Sequence, residues 1–590
     1  MYFDFLRLRP FILLILLQGF TAASSAGTNP PRITSDAPYE TAATDSSITL
    51  SWQSDASGHS VVRFGRTPDL EKGLLVNELD RTGHELTLNG LSPAQIYRVK
   101  VGVASGSDTT WSDPRIVSTG SPSDATGEIN VYFNGSVFEE AARSETAVAN
   151  YDFGEHYDHR IRNAKHSVDI MFYNISQDTG EMIKDALIQA ARTGVRIRVI
   201  MHHDLGTPAN NIRQDLRLTN NINVIQSDFG DNNGLPDNRI MHNKIAIIDY
   251  QSDDPADTWL ITSSWNTTDH GSYRQYQNMI EFQDPALAGG YLTEFNQMWG
   301  SDGFEPDAGN ARFSRNKKVV NPTRFWIGDA EIDIFFSPQA NSEQVITDRL
   351  SGARHDVALP KYLITRSTYV DALDDLVQQG LPVRGAIGDI SYNTGLFNDL
   401  SGIADVHDHG ANFGNANDML LHHKTAIIDA FDPESDNAQV ITGSMNWSYN
   451  GNFNSDENTI IIRDRRVANL YFQEFVARYD EAGGQADLTI TSSENEDYQL
   501  PETISLLQNY PNPFNPATRI AFELPQPDEV TLTIYDVTGR RVATLLDGAH
   551  KPSGRHETAF DASGLSSGLY IYRLSLLSGS TLSRTMLLIK

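Results

Sequence analysis

His242, Lys244 and Asp249 stand in the pattern H-x-K-x4-D, and His422, Lys424 and Asp429 repeat it. The separation is 180 residues for each pair, and it persists for Ser264 and Ser444, Asn266 and Asn446, and Asn278 and Asn458. Polar residues kept in register over such a length indicate an internal duplication. Two histidines, two lysines and two asparagines can then meet at one site across a pseudo-twofold axis. That set suits one task. Ammonium and amide donors clamp a tetrahedral phosphoryl group and offset charge on its oxygens. One imidazole attacks phosphorus while the other protonates the leaving oxygen near neutral pH.

The segment MHNKIAIID reads as a strand, so His242 and Lys244 point to one face. Asp249 has the opposite parity. It completes the catalytic pattern but reads as a structural brace, and Asp429 does the same in the second copy. Ser264 and Asn266, like Ser444 and Asn446, lie two residues apart and share a face or a tight turn.

The elements that carry these residues are α/β in pattern. Ile129–Gly135 and Val168–Ile175 read as strands. The stretch EMIKDALIQAARTG places Met182, Ile183, Ala186, Leu187, Ala190 and Ala191 at helical spacing, with Gly194 as its stop. Val195–Met201 then reads as a buried strand. The second half repeats the order with Ile332–Pro338, Tyr369–Gly380 and Leu381–Asp389. Strand–helix–strand order implies parallel sheet with helices on its faces, two βαβ-type halves in all.

H-x-K-x4-D followed by Gly443, Ser444 and Asn446 resembles the phospholipase D superfamily, over residues 127–485 with halves near 127–300 and 328–485. Ser263 stands where the second copy has Gly443, a change of a small turn residue. The resemblance implies a covalent phosphohistidine intermediate, no metal and no cofactor. It implies His242 and His422 as nucleophile and general acid. Lys244, Lys424, Asn266 and Asn446 would clamp phosphate, supported by Ser264 and Ser444. Eleven residues after each Asn stand Gln277 and Glu457, a position that holds a catalytic histidine in several family members. A carboxylate partner favours imidazolium, hence a proton donor. With each partner on the histidine of its own half, His242 attacks and His422 donates.

Other clusters read more plainly. His202, His203 and Asp204 end a strand, and His407, Asp408 and His409 lie in a glycine- and asparagine-rich stretch. Both read as loops at the mouth of the cleft rather than metal sites. Asp253, Asp254 and Asp257, with Asp432, Glu434 and Asp436, read as solvated turns. They do not fit calcium-loop spacing.

The flanks are all-β. Residues 31–120 contain ITLSW (Ile48–Trp52) and IYRVKVGV (Ile96–Val103) as alternating strands. GLSPAQIYRVKV resembles the F-strand region of fibronectin type III domains, with Trp52 as core tryptophan. Residues 486–500 form an acidic linker. Residues 501–590, with YPNPFNP (Tyr510–Pro516) and SGLYIYRL (Ser567–Leu574), resemble the sorting domain of proteins exported by the type IX secretion system. Residues 1–26, with Arg7, Arg9 and the apolar run Phe11–Leu17, read as a signal peptide. The fold expected is therefore multidomain: a duplicated phospholipase D-like α/β centre flanked by β-sandwiches.

The 590 residues carry 46 basic and 76 acidic side chains, a net charge of −30, and no cysteine. Disulfides, thiolate nucleophiles and cysteine-bound zinc are excluded. The acidic balance disfavours long-range attraction of nucleic acid. The reading is a secreted, monomeric phosphodiesterase acting transiently at a membrane surface to release phospholipid head groups. Nucleic acid is the alternative substrate, and a non-enzymatic surface binder is the third reading. Trp265, Tyr273, Tyr276, Phe397, Phe413, Trp447 and Tyr449 are aromatic candidates for a lipid entrance, or for the core and rim.

Overall fold

The computed structural model describes residues 31–490 and 504–589, apart from 35–38, 107, 122–126, 231–234, 237, 413–418, 433–434, 508, 510–511, 513, 515, 526–527, 552–553 and 563. The expected signal peptide, most of the linker 486–500, much of the YPNPFNP segment, Phe413 and Glu434 lie outside the described residues. The chain divides into two compact units, one of residues 1–139 and 147–487, the other of 140–146 and 488–590.

At the start of the first unit, Ser47–Gly65 is a long strand whose register with Gly73–Asn89 shifts between Gln53 and Gly58. Before the shift it pairs with Tyr39–Ala43, and beyond it with Ile96–Ser105. The alternation read in ITLSW is kept: Ile48, Leu50 and Trp52 are buried and Thr49 and Ser51 less so. They meet Val62, Leu88, Tyr97, Val99 and Val101 in one core. Trp52 lies stacked on His84 at 5.1 Å between ring centroids.

The centre holds two similar halves. In the first, β1 (Ile129–Phe133), β2 (Ser167–Phe172), β3 (Arg196–Met201), β4 (Ile222–Gln226), β5 (Ile245–Ile248), β6 (Trp259–Ser263) and β7 (Asn278–Phe282) form a seven-stranded sheet, ordered β4-β3-β2-β5-β6-β7-β1. In the second, β8 (Arg324–Ile327), β9 (Ala330–Ser337), β10 (Val357–Lys361), β11 (Val383–Ile387), β12 (Asp405–Asp408), β13 (Ala426–Ile428), β14 (Gln439–Gly443) and β15 (Glu457–Arg463) are ordered β12-β11-β10-β13-β14-β15-β9-β8. The sheets are mixed, which corrects the expectation of parallel sheet. Only β2, β3 and β4, and their counterparts β10, β11 and β12, run parallel. Crossover helices serve those strands alone. The later strands follow one another through loops and a single short α-helix that return the chain to the adjacent edge, giving antiparallel pairing.

Helices α1 (Phe153–Arg162), α2 (Gln177–Arg192) and α3 (Thr207–Arg217) cover one face of the first sheet. On α2 Ile183, Ala186, Leu187, Ala190 and Ala191 are buried as their spacing predicts, Met182 is partly buried, and Gly194 at φ 104° ends the helix. A left-handed residue there costs least as glycine. In the second half α5 (Ser342–Ser351), α6 (Ser367–Gln378) and α7 (Thr394–Ile403) do the same. Helices α4 (Pro285–Trp299) and α8 (Arg465–Glu481) are buried almost all round, as expected of helices enclosed between layers. The second unit carries a three-stranded and a four-stranded antiparallel sheet over the core of Phe522, Leu532, Ile534, Tyr572 and Leu574.

Candidate active site

Strand direction gathers the reactive residues at one end of each sheet. β5 runs antiparallel to β2, with Ile245 opposite Met171. Its entry, His242–Lys244, therefore lies where β2 finishes at Tyr173. β6 is antiparallel to β5 and β7 to β6. The exit of β6, with Ser264 and Asn266, and the approach to β7, with Gln277, reach the same end. The second half repeats this.

The H-x-K segments are not strand interiors, contrary to the expectation of one continuous strand. The strands are Ile245–Ile248 and Ala426–Ile428, and the His and Lys precede them. Backbone bonds cross to the other half instead. His242 N donates to Asp456 O at 2.9 Å and His422 N to Tyr276 O at 3.0 Å. His242 and Lys244 still face one side, as do His422 and Lys424. Tyr173 lies 4.6 Å from the His242 ring and 4.9 Å from Lys244 Nζ. Tyr362 repeats both spacings for His422 and Lys424.

The histidine partners also cross between halves. His242 Nδ1 lies 2.8 Å from Glu457 Oε2, and His422 Nδ1 lies 3.1 Å from Gln277 Oε1. This overturns the same-half contact on which the roles of the histidines were assigned. The physical reason is the crossed backbone pairing just described, which sets each H-x-K beside the opposite half's partner strand. Ser444 Oγ donates to Glu457 Oε2 and Ser264 Oγ to Gln277 Oε1, both at 2.7 Å. The serines are fully buried. Their hydroxyls fix the carboxylate and the amide. Asn278 and Asn458 tie the halves further, to His423 Nδ1 at 2.7 Å and to Asn243 Oδ1 at 3.0 Å.

Asp249 and Asp429 stand at the far ends of β5 and β13, at φ 55° each. Asp249 accepts backbone N–H bonds from Lys165, His166 and Ser167, and Asp429 from Arg354, His355 and Asp356. Seven residues of extended chain put Asp249 about 20 Å from His242. They belong to the repeated pattern, and their carboxylates brace the sheet through these backbone bonds. Gly443, at φ 121°, leaves no room for a Cβ, which would meet Asn458 O at 2.5 Å. Ser263, its counterpart, keeps an ordinary φ within β6.

Burial dominates the electrostatics. His242 is pushed down to about 4, because burial outweighs Glu457. Lys244 is pushed down to about 7 by burial, against Glu457. His422 and Lys424 lie well below their usual ranges for the same reason, with Lys244 adding repulsion. Asn266 Oδ1 and Asn446 Oδ1 have no partner among the described residues. An anion brought among these groups supplies counter-charge and favours the protonated forms of Lys244, Lys424 and His422.

The remaining candidates separate. Trp265 and Trp447 are core residues, whereas Tyr273 and Tyr449 are largely exposed. Tyr276 lies under Arg478 at 3.7 Å, and Phe397 packs on the second core. His407 and His409 are held by Asp405 at 2.8 Å and Glu481 at 3.2 Å. Among the described residues no group of three or more histidines and carboxylates is placed to hold a metal ion. Tyr173 and Tyr362 went unread in the sequence. Tyr-x-Ile follows a buried strand in both halves (Tyr173 and Ile175, Tyr362 and Ile364), at an offset of 189 that an alignment fixed at 180 passes over.

Residues 157–299 and 346–479 each match the family described as cardiolipin synthase, PLD-like domain. The central region belongs to the phospholipase D superfamily. Phospholipase D of Rickettsia prowazekii (strain Madrid E) is 23% identical over 174 residues, which cover 27% of this chain and 80% of its own. Mitochondrial cardiolipin hydrolase of Xenopus tropicalis is 31% identical over 81 residues, 14% of this chain and 32% of its own. Among solved structures, phosphatidylserine synthase of Haemophilus influenzae Rd KW20 aligns with a TM-score of 0.42 and 14% identity, over 56% of this chain and 83% of that one. Residues 508–588 match a secretion system C-terminal sorting domain. This phospholipase D-like protein is thus a phosphodiesterase-type hydrolase sent by type IX secretion to the cell surface or beyond. No helix among the described residues is long and apolar enough to cross a membrane.

Proposed function

We propose that the enzyme hydrolyses the distal phosphodiester of membrane phospholipids, releasing the head group through a phosphohistidine and without a metal. The observation that carries the reading is the crossed pair, His242 on Glu457 and His422 on Gln277. It sets each histidine against the opposite half, and burial of His422 is compounded by repulsion from Lys424, Lys244 and His242, which supports one shared site.

The role of each histidine follows from where charge grows. When an imidazole Nε2 bonds to phosphorus, its ring becomes cationic. A carboxylate at its Nδ1 stabilises that change, and stabilisation that strengthens along the reaction is what accelerates it. His242, beside Glu457, fits the nucleophile. His422 passes from imidazolium to neutral as it protonates the leaving alcohol, and the neutral Gln277 amide does not oppose this. The rule that a carboxylate-held histidine is the donor would reverse the roles. It concerns the resting state, whereas the rate depends on the change. In the first step the His242 N–P bond forms, the P–O bond to the alcohol breaks and His422 supplies the proton. In the second, His422 takes a proton from water, which attacks phosphorus and breaks the N–P bond.

Lipid is favoured over nucleic acid by the net charge of −30 and by the tyrosines over the pocket. Tyr173 and Tyr362 flank the histidines, and Tyr392, largely exposed, lies 6.1 Å from Tyr362. The test incubates pure protein in EDTA with phosphatidylcholine, phosphatidylethanolamine, or single-stranded DNA. Head-group release is expected, and DNA cleavage alone overturns the lipid assignment.

A further inference from the structure

A buried ion cluster outside the reactive set reaches it through a single residue. Lys317 Nζ meets Glu294 Oε1 at 2.5 Å and Asp456 Oδ1 at 2.9 Å, and all three side chains are buried. Lys317 Nζ also donates to Ser337 O at 2.9 Å. Asp456 stands immediately before Glu457. Its carbonyl accepts from His242 N at 2.9 Å, and its own N–H donates to Ile240 O at 2.8 Å. The residue that Lys317 grips therefore reaches both members of the His242–Glu457 pair, one through a hydrogen bond and the other along the chain.

Lys317 belongs to the connection between α4 and β8, outside the duplicated motif. The same connection holds the turn 453–456 at further points. Ser314 N donates to Asp456 Oδ1 at 2.7 Å, and Ser314 Oγ donates to Asn454 O. Arg315 Nε donates to Phe453 O at 2.9 Å and Nη2 to Asn454 Oδ1 at 2.5 Å. Ser314 is fully buried at φ 51°, a conformation that costs a non-glycine residue energy and persists where the surroundings enforce it. The His422 side is built otherwise. Tyr276, 180 residues before Asp456, offers its carbonyl to His422 N, while its ring lies under Arg478 of α8. Glu474, 180 residues after Glu294, faces that Arg478 at 3.5 Å. The His422 side thus takes its cation from a helix, and the His242 side takes it from the connection.

Burying three charges is costly, and apolar residues of similar volume often pack with equal or greater stability. What the ion cluster adds is one fixed arrangement. We propose that Lys317 is a positioning residue for His242 and Glu457, with the connection acting as a strap that fixes the turn before Glu457 and so the geometry of attack on phosphorus. This rests on the phosphodiesterase reading above and deepens it. A loosened turn leaves both reactive groups present but out of register, and a misplacement of about 1 Å can cost about 100-fold in rate.

Two variants test the strap. Lys317→Met removes the buried cation. Arg315→Met removes two bonds to the turn from an exposed side chain and leaves the core intact. The readout is the imidazole N–H signals of the full-length protein carrying isotope-labelled histidine, those of His242 and His422 being identified by their loss in His242→Asn and His422→Asn. The His242 signal is expected to move or broaden in both strap variants while the His422 signal stays. Single-turnover phosphorylation by bis(p-nitrophenyl) phosphate should slow by about 10- to 100-fold in Lys317→Met, and by less in Arg315→Met, with half-saturation little changed. An unchanged His242 signal in both variants, equal movement of both histidines, or an unchanged rate beside a moved signal overturns the proposal. If Lys317→Met does not fold, Arg315→Met alone decides. A wild type inert toward bis(p-nitrophenyl) phosphate instead defeats the phosphodiesterase reading, with the His242 signal still judging the strap.

Discussion

Glu457 Oε2 lies 2.8 Å from His242 Nδ1, although 215 residues separate them in the chain. The carboxylate also accepts from Ser444 Oγ at 2.7 Å, so it is held in place before any substrate arrives. Each half therefore completes the other's reactive centre. Replacing Glu457 by Gln keeps the shape and removes the charge that offsets a cationic His242. Phosphoenzyme formation should slow by about 10- to 100-fold, read by rapid-quench kinetics, with little change in the hydrolysis of preformed intermediate. Equal slowing of both steps would contradict this role.

The pH profile of kcat/KM reports the free enzyme. His242 must be neutral to attack, which holds above about 4. Lys244 must be charged to clamp phosphate, which holds below about 7. A bell is expected, its falling limb set by Lys244 together with His422, which must carry its proton and which burial holds well below its usual range. Activity rises with pH through the first limb and falls through the second. Lys244→Arg, whose guanidinium stays charged, should lift the falling limb while lowering the maximum. A profile flat up to pH 9 in the wild type would refute the assignment of Lys244.

Asp249 binds three consecutive backbone N–H groups at the distal end of β5. Asp249→Ala leaves those donors unpaired, and the buried one at Ser167 costs about 1–3 kcal/mol. Calorimetry should show a melting temperature several degrees lower, while kcat of the folded protein changes by less than about threefold. Loss of kcat by orders of magnitude in a fully folded variant would return Asp249 to the reactive set.

The duplicated motif, its chemistry and the partition into β, α/β and β regions were legible because each rests on local pattern. Two histidines at one offset, the stripe on α2 and the alternation of Ile48, Leu50 and Trp52 all lie within short windows. What escaped was decided by tertiary pairing. The crossing of Gln277 and Glu457 depends on His242 and His422 bonding to the opposite halves' backbones, which no spacing within one half encodes. The antiparallel course of β5, β6 and β7 depends on where each connection returns the chain rather than on residue type. The end of β5 at Ile248 is set by Asp249 adopting φ 55°, a turn hidden inside an apolar run.

Lys361 exposes a buried cost outside the site. It points into the second core, with Nζ lying 3.6 Å from the Trp447 ring and no hydrogen-bond partner among the described residues. Burial, with Lys424 adding repulsion, holds its pKa well below the usual range. The unfolded chain binds this proton below about 10.5 and the folded chain does not, so stability falls as pH drops from that value. Lys361→Met should raise the melting temperature, by more at pH 7 than at pH 10, for a gain of about 1–3 kcal/mol. A variant less stable than wild type at both pH values would contradict a neutral Lys361.

The most direct test traps the intermediate. His422→Asn is mixed with bis(p-nitrophenyl) phosphate, whose leaving group needs no proton and whose adduct then lacks the base for hydrolysis. Peptide mass mapping should find the phosphoryl group on His242 in this variant, and no adduct in His242→Asn. An adduct on His422 in the His242→Asn protein, with none in His422→Asn, would reverse the roles. No adduct in either, alongside wild-type turnover, would defeat the account of one phosphorus held between two histidines.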